Sequence, residues 1–579
     1  MGSNPTLSAT FDSVSYVSGT TLDGCASLKT IEEAERELLG PAGIFELGPG
    51  SVCGEQMPVM TRRLPSLRAM LELSRGYGVA EYLVCGTTRL TFEDHFTRVA
   101  SVARVLRDRF GVGKGDRVAI LAENGPEWIL TFWATVSLGA VAVGLNGWWV
   151  RDEILYAIGD ADPKVLVADE KRLARLLASD VRVPIVRIEQ DFDACVHAAE
   201  TSLPDTPIDE DDPACILYTS GTTGRPKGAV GSHRSIVGLT ALQFFHGLRV
   251  AMSSPPPETT SLPPCQLVTN PLFHVSGLYT GAVAMLAAGV KTVWPKGRFD
   301  TERILGLIES EKVTSWSPMG TMAYRVVTYP SLERHDLSSV RNIGSGGAPM
   351  RTELQGAIRR VFPNASTSLG LGYGLTESGA LATIAFGDEL AARPTSAGRP
   401  MPTVSIEIRD ASGRAVADGD EGEIHIRSPL LMLEYWRRPE ETAEALLPGR
   451  WLRTGDIGRM ESGHLYIESR KRDLILRGGE NVYPTEIELC LEAHPDVVEV
   501  AVVGVPDLEL GQAVKAIVVP REGTTPESEA LRRWVAAKLA YYKVPAHWEI
   551  RRLALPRNAT GKVMKQVLLG EAEDPFESA

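Results

Sequence analysis

The chain has 579 residues, with 60 Lys and Arg against 73 Asp and Glu and a net charge of −13. That length exceeds what one compact core holds, so a large domain and at least one smaller one are expected. The acidic balance provides no basic footprint for nucleic acid, and a composition of 44% hydrophobic and 23% charged residues is that of a globular chain.

The first 60 residues read as an arm of undefined role, in which "TIEEAERELLGPAG" predicts a short helix: Thr30 and Glu33 have capping-box spacing and Gly40-Pro41 is a stop. The N-terminus lacks a basic segment followed by an apolar one, so no secretory leader is expected. From Leu64 onward, strand-length apolar segments alternate with helical ones. "FEDHFTRVASVARVLRDRF" (Phe92–Phe110) predicts an amphipathic helix, and "DRVAILAE" (Asp116–Glu123) and "PKVLVADE" (Pro163–Glu170) predict buried strands. The alternation implies a doubly wound, mostly parallel sheet. Trp128–Val150 is long and uncharged enough for a membrane span. Gly139, Gly144, Asn146 and Gly147 interrupt it, so a buried helix running into a buried strand is expected instead. Met252–Pro264 predicts a Pro/Ser-rich surface loop. Beyond Pro402, "SIEIRD" and "GEIHIRS" predict strands of a small β unit, and after Arg470 a compact tail of about 100 residues has the size of a separate domain. The seven cysteines are scattered with no C-x-x-C pair. Neither a zinc site nor a disulfide framework is expected, and a reducing, cytoplasmic setting fits.

The string "LYTSGTTGRPKGAVGSH" (Leu217–His233) concentrates ligand-binding chemistry. Gly221, Gly224 and Gly228 let the backbone turn tightly and approach a ligand. Thr219, Ser220, Thr222 and Thr223 offer hydroxyl donors, and Lys227 adds a cation. Phosphate oxygens want that combination. It is not a Walker A loop, because Pro226 precedes the lysine.

Further motifs follow in order: "NPLFHVSG" with His274, "GSGGAPM" (Gly344–Met350), "YGLTES" (Tyr373–Ser378), "WLRTGDIG" with Asp456, "SRKRDLILRGGENVYPTEIE" (Ser469–Glu488) and "PRNATGKVMK" with Lys562. Together with "YTSGTTGRPKG" the ordered set resembles the adenylate-forming superfamily of acyl-CoA synthetases, aryl-CoA ligases, firefly luciferase and peptide-synthetase adenylation domains. The resemblance runs from about Leu64 to about Leu569. It implies an α/β fold with a large N-terminal adenylation domain (61–471), containing doubly wound, mostly parallel sheets and the small β unit. A small mobile α+β C-terminal lid (472–579) would follow.

The resemblance also implies the chemistry. A carboxylate attacks the α-phosphate of ATP, giving acyl-AMP and pyrophosphate; a thiol then displaces AMP. Thr219, Ser220, Gly221, Thr222, Thr223, Gly224 and Lys227 would hold the β- and γ-phosphates, Glu377 a Mg²⁺ ion, and Thr376 the α-phosphate. Tyr373, beside Gly374, would stack on adenine, with Gly346, Gly347 and Ala348 on its other face. Asp456 would accept the ribose hydroxyls and Arg470 add a donor. Lys562 would bridge carboxylate and α-phosphate, His274 would orient or gate the acid, Arg472 would be a hinge, and Gly479 would line the pantetheine tunnel in a second orientation of the lid. Ser469 replaces the Gly or Asp usual before that arginine.

Coenzyme A is the expected acceptor. A carrier-protein phosphopantetheine, a luciferase-like oxidation and a non-catalytic nucleotide binder are the alternatives. For the acid, no Lys or Arg is evident in the pocket segments to meet a second acidic group. Trp316, Met319 and Met350 are apolar candidates for the lining, which suits a medium- or long-chain fatty or other bulky hydrophobic acid. No nucleic-acid partner and no stable membrane insertion are expected, and a homodimer is the candidate assembly.

Overall fold

The computed structural model describes residues 28–177, 180–197, 202–219, 226–253, 262–346, 350, 352–470, 473–477, 480–507, 510–558 and 561–572. The chain divides into two compact units. The first comprises Met1–Arg393, Gly398–Ser405 and Ile426–Leu452; the second comprises Pro394–Ala397, Ile406–His425 and Arg453–Ala579.

In the first unit, helix α1 (Ile31–Leu39) starts with the foretold capping box: the Thr30 hydroxyl accepts from the Glu33 N–H and the Glu33 carboxylate accepts from the Thr30 N–H. Strands β1 (Leu47–Val52) and β2 (Glu55–Met60) form an antiparallel hairpin. Then come β3 (Glu81–Cys85), β4 (Thr88–Thr91), α2 (Phe92–Phe110), β5 (Arg117–Leu121), α3 (Pro126–Ser137), β6 (Val141–Gly144), α4 (Arg151–Ala161), β7 (Val165–Ala168), β8 (Ile185–Arg187), β9 (Pro213–Thr219), β10 (Lys227–Ser232) and α5 (His233–Ser253). One six-stranded sheet has the order β10-β9-β6-β5-β7-β8, parallel except for the β9–β10 hairpin. Its central strands are apolar throughout because helices cover both faces. The span-like stretch at Trp128–Val150 contains α3, buried along its length, and the wholly buried β6. Helix α5 is also long and apolar enough to cross a membrane, and half of it is buried in the unit. The arm covers part of it: Phe45 meets Phe245 edge-on with ring centroids 5.8 Å apart, and Glu35 pairs with Arg249. Of the Pro/Ser-rich stretch, residues 254–261 lie outside the described residues.

The second sheet of this unit contains β11 (Cys265–Leu267), β12 (Lys291–Val293), β13 (Ser315–Trp316), β14 (Asn342–Gly346), β15 (Gly370–Tyr373) and β16 (Thr383–Phe386). Its order is β4-β3-β12-β11-β13-β14-β15-β16, parallel from β3 through β15. The doubly wound, mostly parallel α/β architecture is as expected. In the second unit, a small antiparallel β unit precedes a separate mixed sheet in the tail. Strands Ile475–Arg477, Glu480–Val482, Val497–Asp507, Gly511–Pro520 and His547–Ile550 make up that sheet. Six of the seven cysteines lie among the described residues, and all six are free thiols.

Two buried histidines, His95 and His233, and the partly buried His246 tie stability to pH. Burial lowers the pKa of His95 to about 3, of His233 to about 4 and, with help from nearby Arg249, of His246 to about 3. The unfolded chain takes up these protons near pH 6.5. The stabilisation is therefore complete above that pH and is lost as pH falls toward 4 and 3. Each histidine is expected to cost about 1 kcal/mol per pH unit below 6.5. Denaturant unfolding at pH 7.5, 6.5 and 5.5 reads the slope. His95 has the aromatic rings of Tyr82 and Trp133 for neighbours at 4.8 and 6.5 Å. His95→Phe, which fills that site without titrating, is expected to make the slope shallower; an unchanged slope would exclude His95 as a source.

Candidate active site

The apolar residues Cys215, Ile216 and Leu217 anchor β9 in the core, and the strand surfaces at Thr219. Strand β10 re-enters at Lys227, paired with Thr219 in register. The tip between them, with Ser220, Gly221, Thr222, Thr223 and Gly224, lies outside the described residues. Its base is braced: the Tyr156 hydroxyl on α4 donates to the Pro226 carbonyl at 3.1 Å. Tyr218 and Arg438 both donate to the Asp160 carboxylate, at 2.9 and 2.7 Å, and Arg438 also reaches the Tyr156 hydroxyl at 3.1 Å.

Beyond β15 the chain makes a tight turn that presents Thr376 and Glu377. The Ser378 hydroxyl accepts from the Leu375 N–H at 2.8 Å, and the Ala380 N–H closes back on the Leu375 carbonyl at 2.9 Å. Two glycines permit it. A Cβ at Gly374 would lie 2.0 Å from the Ala380 carbonyl oxygen, and one at Gly379, where φ is +76°, would lie 2.4 Å from that of Leu430. Both positions exclude a side chain.

The Glu377 carboxylate is held from two sides. Thr219 Oγ1 donates to Glu377 Oε1 at 3.2 Å, and the Tyr435 hydroxyl donates to the same oxygen at 2.9 Å. Lys227 Nζ lies 5.2 Å from the centroid of the Tyr435 ring. Tyr435 reaches this place because residues 433–436 lie along β10. The Leu433 N–H donates to Val230, Val230 to Glu434 and Trp436 to Gly228, and the Met432 N–H holds the Glu377 carbonyl at 2.9 Å. Burial, reinforced by the Glu377 carboxylate, raises the Tyr435 pKa, so its hydroxyl stays a donor. The structure thus unites Thr219 and Lys227 of one motif with Glu377 of another, and adds Tyr435, Tyr156 and Asp160, which the motifs did not identify. The signal available was "EYWRRPE", a dense aromatic and basic string at Glu434–Glu440.

Tyr373 ends β15 and is 8% exposed. Gly346, at the end of β14, pairs with Gly372, while Gly347 and Ala348 lie outside the described residues. At His274, Nδ1 accepts from the Ser276 N–H at 3.3 Å and faces the Ser276 hydroxyl at 2.8 Å. That places the proton of the neutral ring on Nε2. Two of the three expected pocket-lining residues are placed otherwise. Trp316 is fully buried with its ring 6.3 Å from Phe362, and Met350 is buried in the same core cluster. Both side chains are spent on packing the second sheet.

In the second unit, Asp456 is 3% exposed on the strand Trp451–Glu461, in register with Arg470 of the strand His464–Arg470. The Arg470 side chain, Arg472 and Gly479 lie outside the described residues. Lys562 sits in a small hairpin. Its N–H donates to Asn558 Oδ1 and its carbonyl accepts from the Asn558 N–H, both at 2.9 Å, and Arg557 bridges to Val563. Among the described residues, no group of three or more His, Cys, Asp or Glu side chains forms a metal cage. A single carboxylate such as Glu377, completing its shell with phosphate oxygens and water, is nevertheless the donor set Mg²⁺ favours.

A doubly wound α/β unit that carries a phosphate-type hairpin against a glutamate turn, followed by a small tail domain, defines an adenylate-forming enzyme. The chain belongs to the AMP-binding enzyme family, whose model matches residues 72–436; the model of the AMP-binding enzyme C-terminal domain matches residues 486–562. It is 34% identical over 485 residues to a feruloyl-CoA synthase of Amycolatopsis sp, covering 83% of this chain and 93% of that one. It is 32% identical over 526 residues to a long-chain-fatty-acid–CoA ligase of Bacillus subtilis, covering 83% and 90%. Among solved structures, the o-succinylbenzoate CoA synthetase of Bacillus subtilis, in complex with its acyl-adenylate intermediate, superposes with a TM-score of 0.74 at 28% identity over 87% of this chain and 98% of that one. The chain is accordingly an AMP-forming acid–CoA ligase that uses ATP and CoA.

Proposed function

We propose that this ligase activates a medium- or long-chain fatty acid or another bulky, largely hydrophobic monocarboxylic acid, with Mg²⁺ held at Glu377. The convergence of Thr219, Lys227, Glu377 and Tyr435 carries the reading of the ATP site: a carboxylate, hydroxyl donors and a cation meet where a polyphosphate would enter. In the first step a carboxylate oxygen bonds to the α-phosphorus and the bond to pyrophosphate breaks. In the second the CoA thiolate bonds to the acyl carbon and the bond to AMP breaks, the thiol proton passing to solvent. Mg²⁺ would supply charge neutralisation between the phosphates and Glu377. Thr376 would donate to the α-phosphate, Tyr373 would stack on adenine, Asp456 would hold the ribose, and Lys562 would steady the meeting of two anions. His274, with its proton on Nε2, would donate to the incoming carboxylate without adding charge. Among the described residues, the pocket beside it, lined by Gln266, Asn270, Ser276, Thr280 and Ser317 among others, has no charged side chain in its lining. That supports an acid whose only charge is the reacting carboxylate.

The test is pyrophosphate release with ATP and Mg²⁺ over acetate, octanoate, palmitate, cinnamate, 4-hydroxycinnamate and succinate, each with and without CoA. CoA-dependent turnover with the bulky monocarboxylates is expected. Preference for acetate or for the dicarboxylate would refute the assignment of the acid.

A further inference from the structure

Strand β5 lies in the middle of the first sheet, where the chain order reverses: β6 pairs with it on one side and β7 on the other. In open α/β sheets, ligands bind outside the carboxyl ends of the strands at such a reversal. Three residues beyond the end of β5, on the turn into α3, stands Asn124. Its carboxamide reaches the loop that carries His274. Asn124 Nδ2 donates to the Asn270 carbonyl at 2.8 Å, and Asn124 Oδ1 accepts from the Leu272 N–H at 2.9 Å. The two bonds span Pro271, which has no N–H of its own, in the way a neighbouring strand would.

The clamp fixes more than the residues it touches. The Pro271 carbonyl, between the two bonds, accepts from the His274 N–H at 3.1 Å. The His274 carbonyl in turn accepts from the Gly277 and Leu278 N–H groups at 3.1 and 3.0 Å. A Cβ at Gly277 would lie 2.2 Å from the Pro271 oxygen, so the loop is closed tightly on itself. Phe273 packs on Gly144, the last residue of β6, where an added Cβ would meet the Phe273 Cα at 3.2 Å. From the second sheet, the carbonyl of Ser317, just past β13, accepts from Asn270 Nδ2 at 3.1 Å. Asparagine suits the clamp because it offers a donor and an acceptor on one carbon. Aspartate would lose the donor and set a charge against the Asn270 carbonyl.

We infer that Asn124 is a positioning residue of the adenylation step: its carboxamide holds the loop that presents His274, and so sets how the acid's carboxylate is met. The inference rests on the ligase reading above, in which the His274 ring donates to that carboxylate, and deepens it. Asn124 touches neither substrate in this scheme and acts through His274.

The experiment measures pyrophosphate release with octanoate and with cinnamate for Asn124→Asp, His274→Ala and the double variant. His274→Ala is expected to lower kcat/KM for the acid by about 10–10²-fold, the loss of one hydrogen bond to a charged group. Asn124→Asp is expected to lower it about 10-fold, since a residue acting through His274 costs no more than His274 itself. The double variant is expected to match His274→Ala alone, because two residues in one chain of contacts are not additive. KM for ATP, and thioester formation from supplied acyl-AMP, are expected to stay within about twofold of wild type in Asn124→Asp. Asn124→Ser, which shortens the side chain and leaves room for water, is the second variant, and thermal unfolding checks that each is folded. Wild-type kcat/KM in both Asn124 variants overturns the inference. Additive losses in the double variant, or a raised KM for ATP with a slowed thioester step, also overturn it, because the asparagine then supports the fold at large. A wild-type rate in His274→Ala removes the histidine's role and the inference, and leaves the ligase reading standing. No release by the wild-type enzyme with any acid of the panel above overturns the ligase reading and the inference together.

Discussion

Lys562→Ala is expected to lower acyl-AMP formation by about 10²–10³-fold, the usual effect of removing one preorganised group that meets developing charge. It is expected to leave thioester formation from supplied acyl-AMP within a few-fold of wild type. The reason is the charge balance of the two steps. In the first, a carboxylate must approach a triphosphate, and the repulsion has to be offset at the atoms that react. In the second, a thiolate attacks a neutral acyl carbon, and the AMP leaving group needs less help. The Lys562 N–H and carbonyl are both bonded to Asn558. Lys562→Arg keeps the charge but replaces a compact ammonium with a broad planar fork, and only partial recovery is expected. Gly479→Leu is expected to give the opposite pattern, with adenylation retained and transfer to CoA lost, on the proposal, drawn from the family resemblance, that Gly479 lines the path of the thiol. Pyrophosphate release and CoA-dependent consumption of synthetic acyl-AMP measure the two steps separately. Equal loss of both steps in both variants would rule out this division of labour.

Local structure was readable because its causes are local. The capping box of Thr30 and Glu33 and the helix Phe92–Phe110 depend on residues three or four apart. The apolar cores of Asp116–Glu123 and Pro163–Glu170 became β5 and β7 because an all-apolar run is stable only where both faces are covered. The phosphate hairpin and the glutamate turn were legible as strings for a related reason, since glycines and hydroxyls are forced together where backbone must approach a ligand. What holds these strings together was not legible. Tyr435 is 58 residues from Glu377, and Arg438 is 278 from Asp160. Those contacts exist because one segment lies along β10, a pairing no local pattern encodes. The placement of Trp316 was not legible for a comparable reason. Trp316 and Ser317 are neighbours in sequence, but Trp316 is packed into the core and Ser317 lines a small polar pocket. Apolar residues near a site are as readily spent on the scaffold as on the ligand.

Glu377→Gln and Tyr435→Phe together separate the charge of the glutamate from its placement. Glutamine keeps the shape and can still accept from Thr219 and Tyr435, but it brings no charge to the metal. Adenylation is expected to fall about 10²–10³-fold, and added Mg²⁺ should not restore it. Phenylalanine at 435 removes one hydrogen bond to a carboxylate, a contact of about 1.5–3 kcal/mol. It leaves in place the backbone bonds of the flanking segment to Val230 and Gly228. The carboxylate keeps its charge and its bond to Thr219 but gains freedom to turn away. Adenylation is therefore expected to fall about 10-fold or somewhat more at fixed Mg²⁺, with the half-saturating Mg²⁺ concentration raised and much of the rate recovered at high Mg²⁺. Titration of pyrophosphate release with Mg²⁺ distinguishes the two behaviours, and thermal unfolding checks that both variants remain folded. If Tyr435→Phe matched wild type at every Mg²⁺ concentration, the tyrosine would be packing against the glutamate without orienting it. If it matched Glu377→Gln, the hydroxyl itself would have to meet the charge of the reacting phosphates. The intermediate, metal-responsive outcome is the one that follows from a donor whose pKa is raised by burial and whose partner is the carboxylate proposed to hold Mg²⁺.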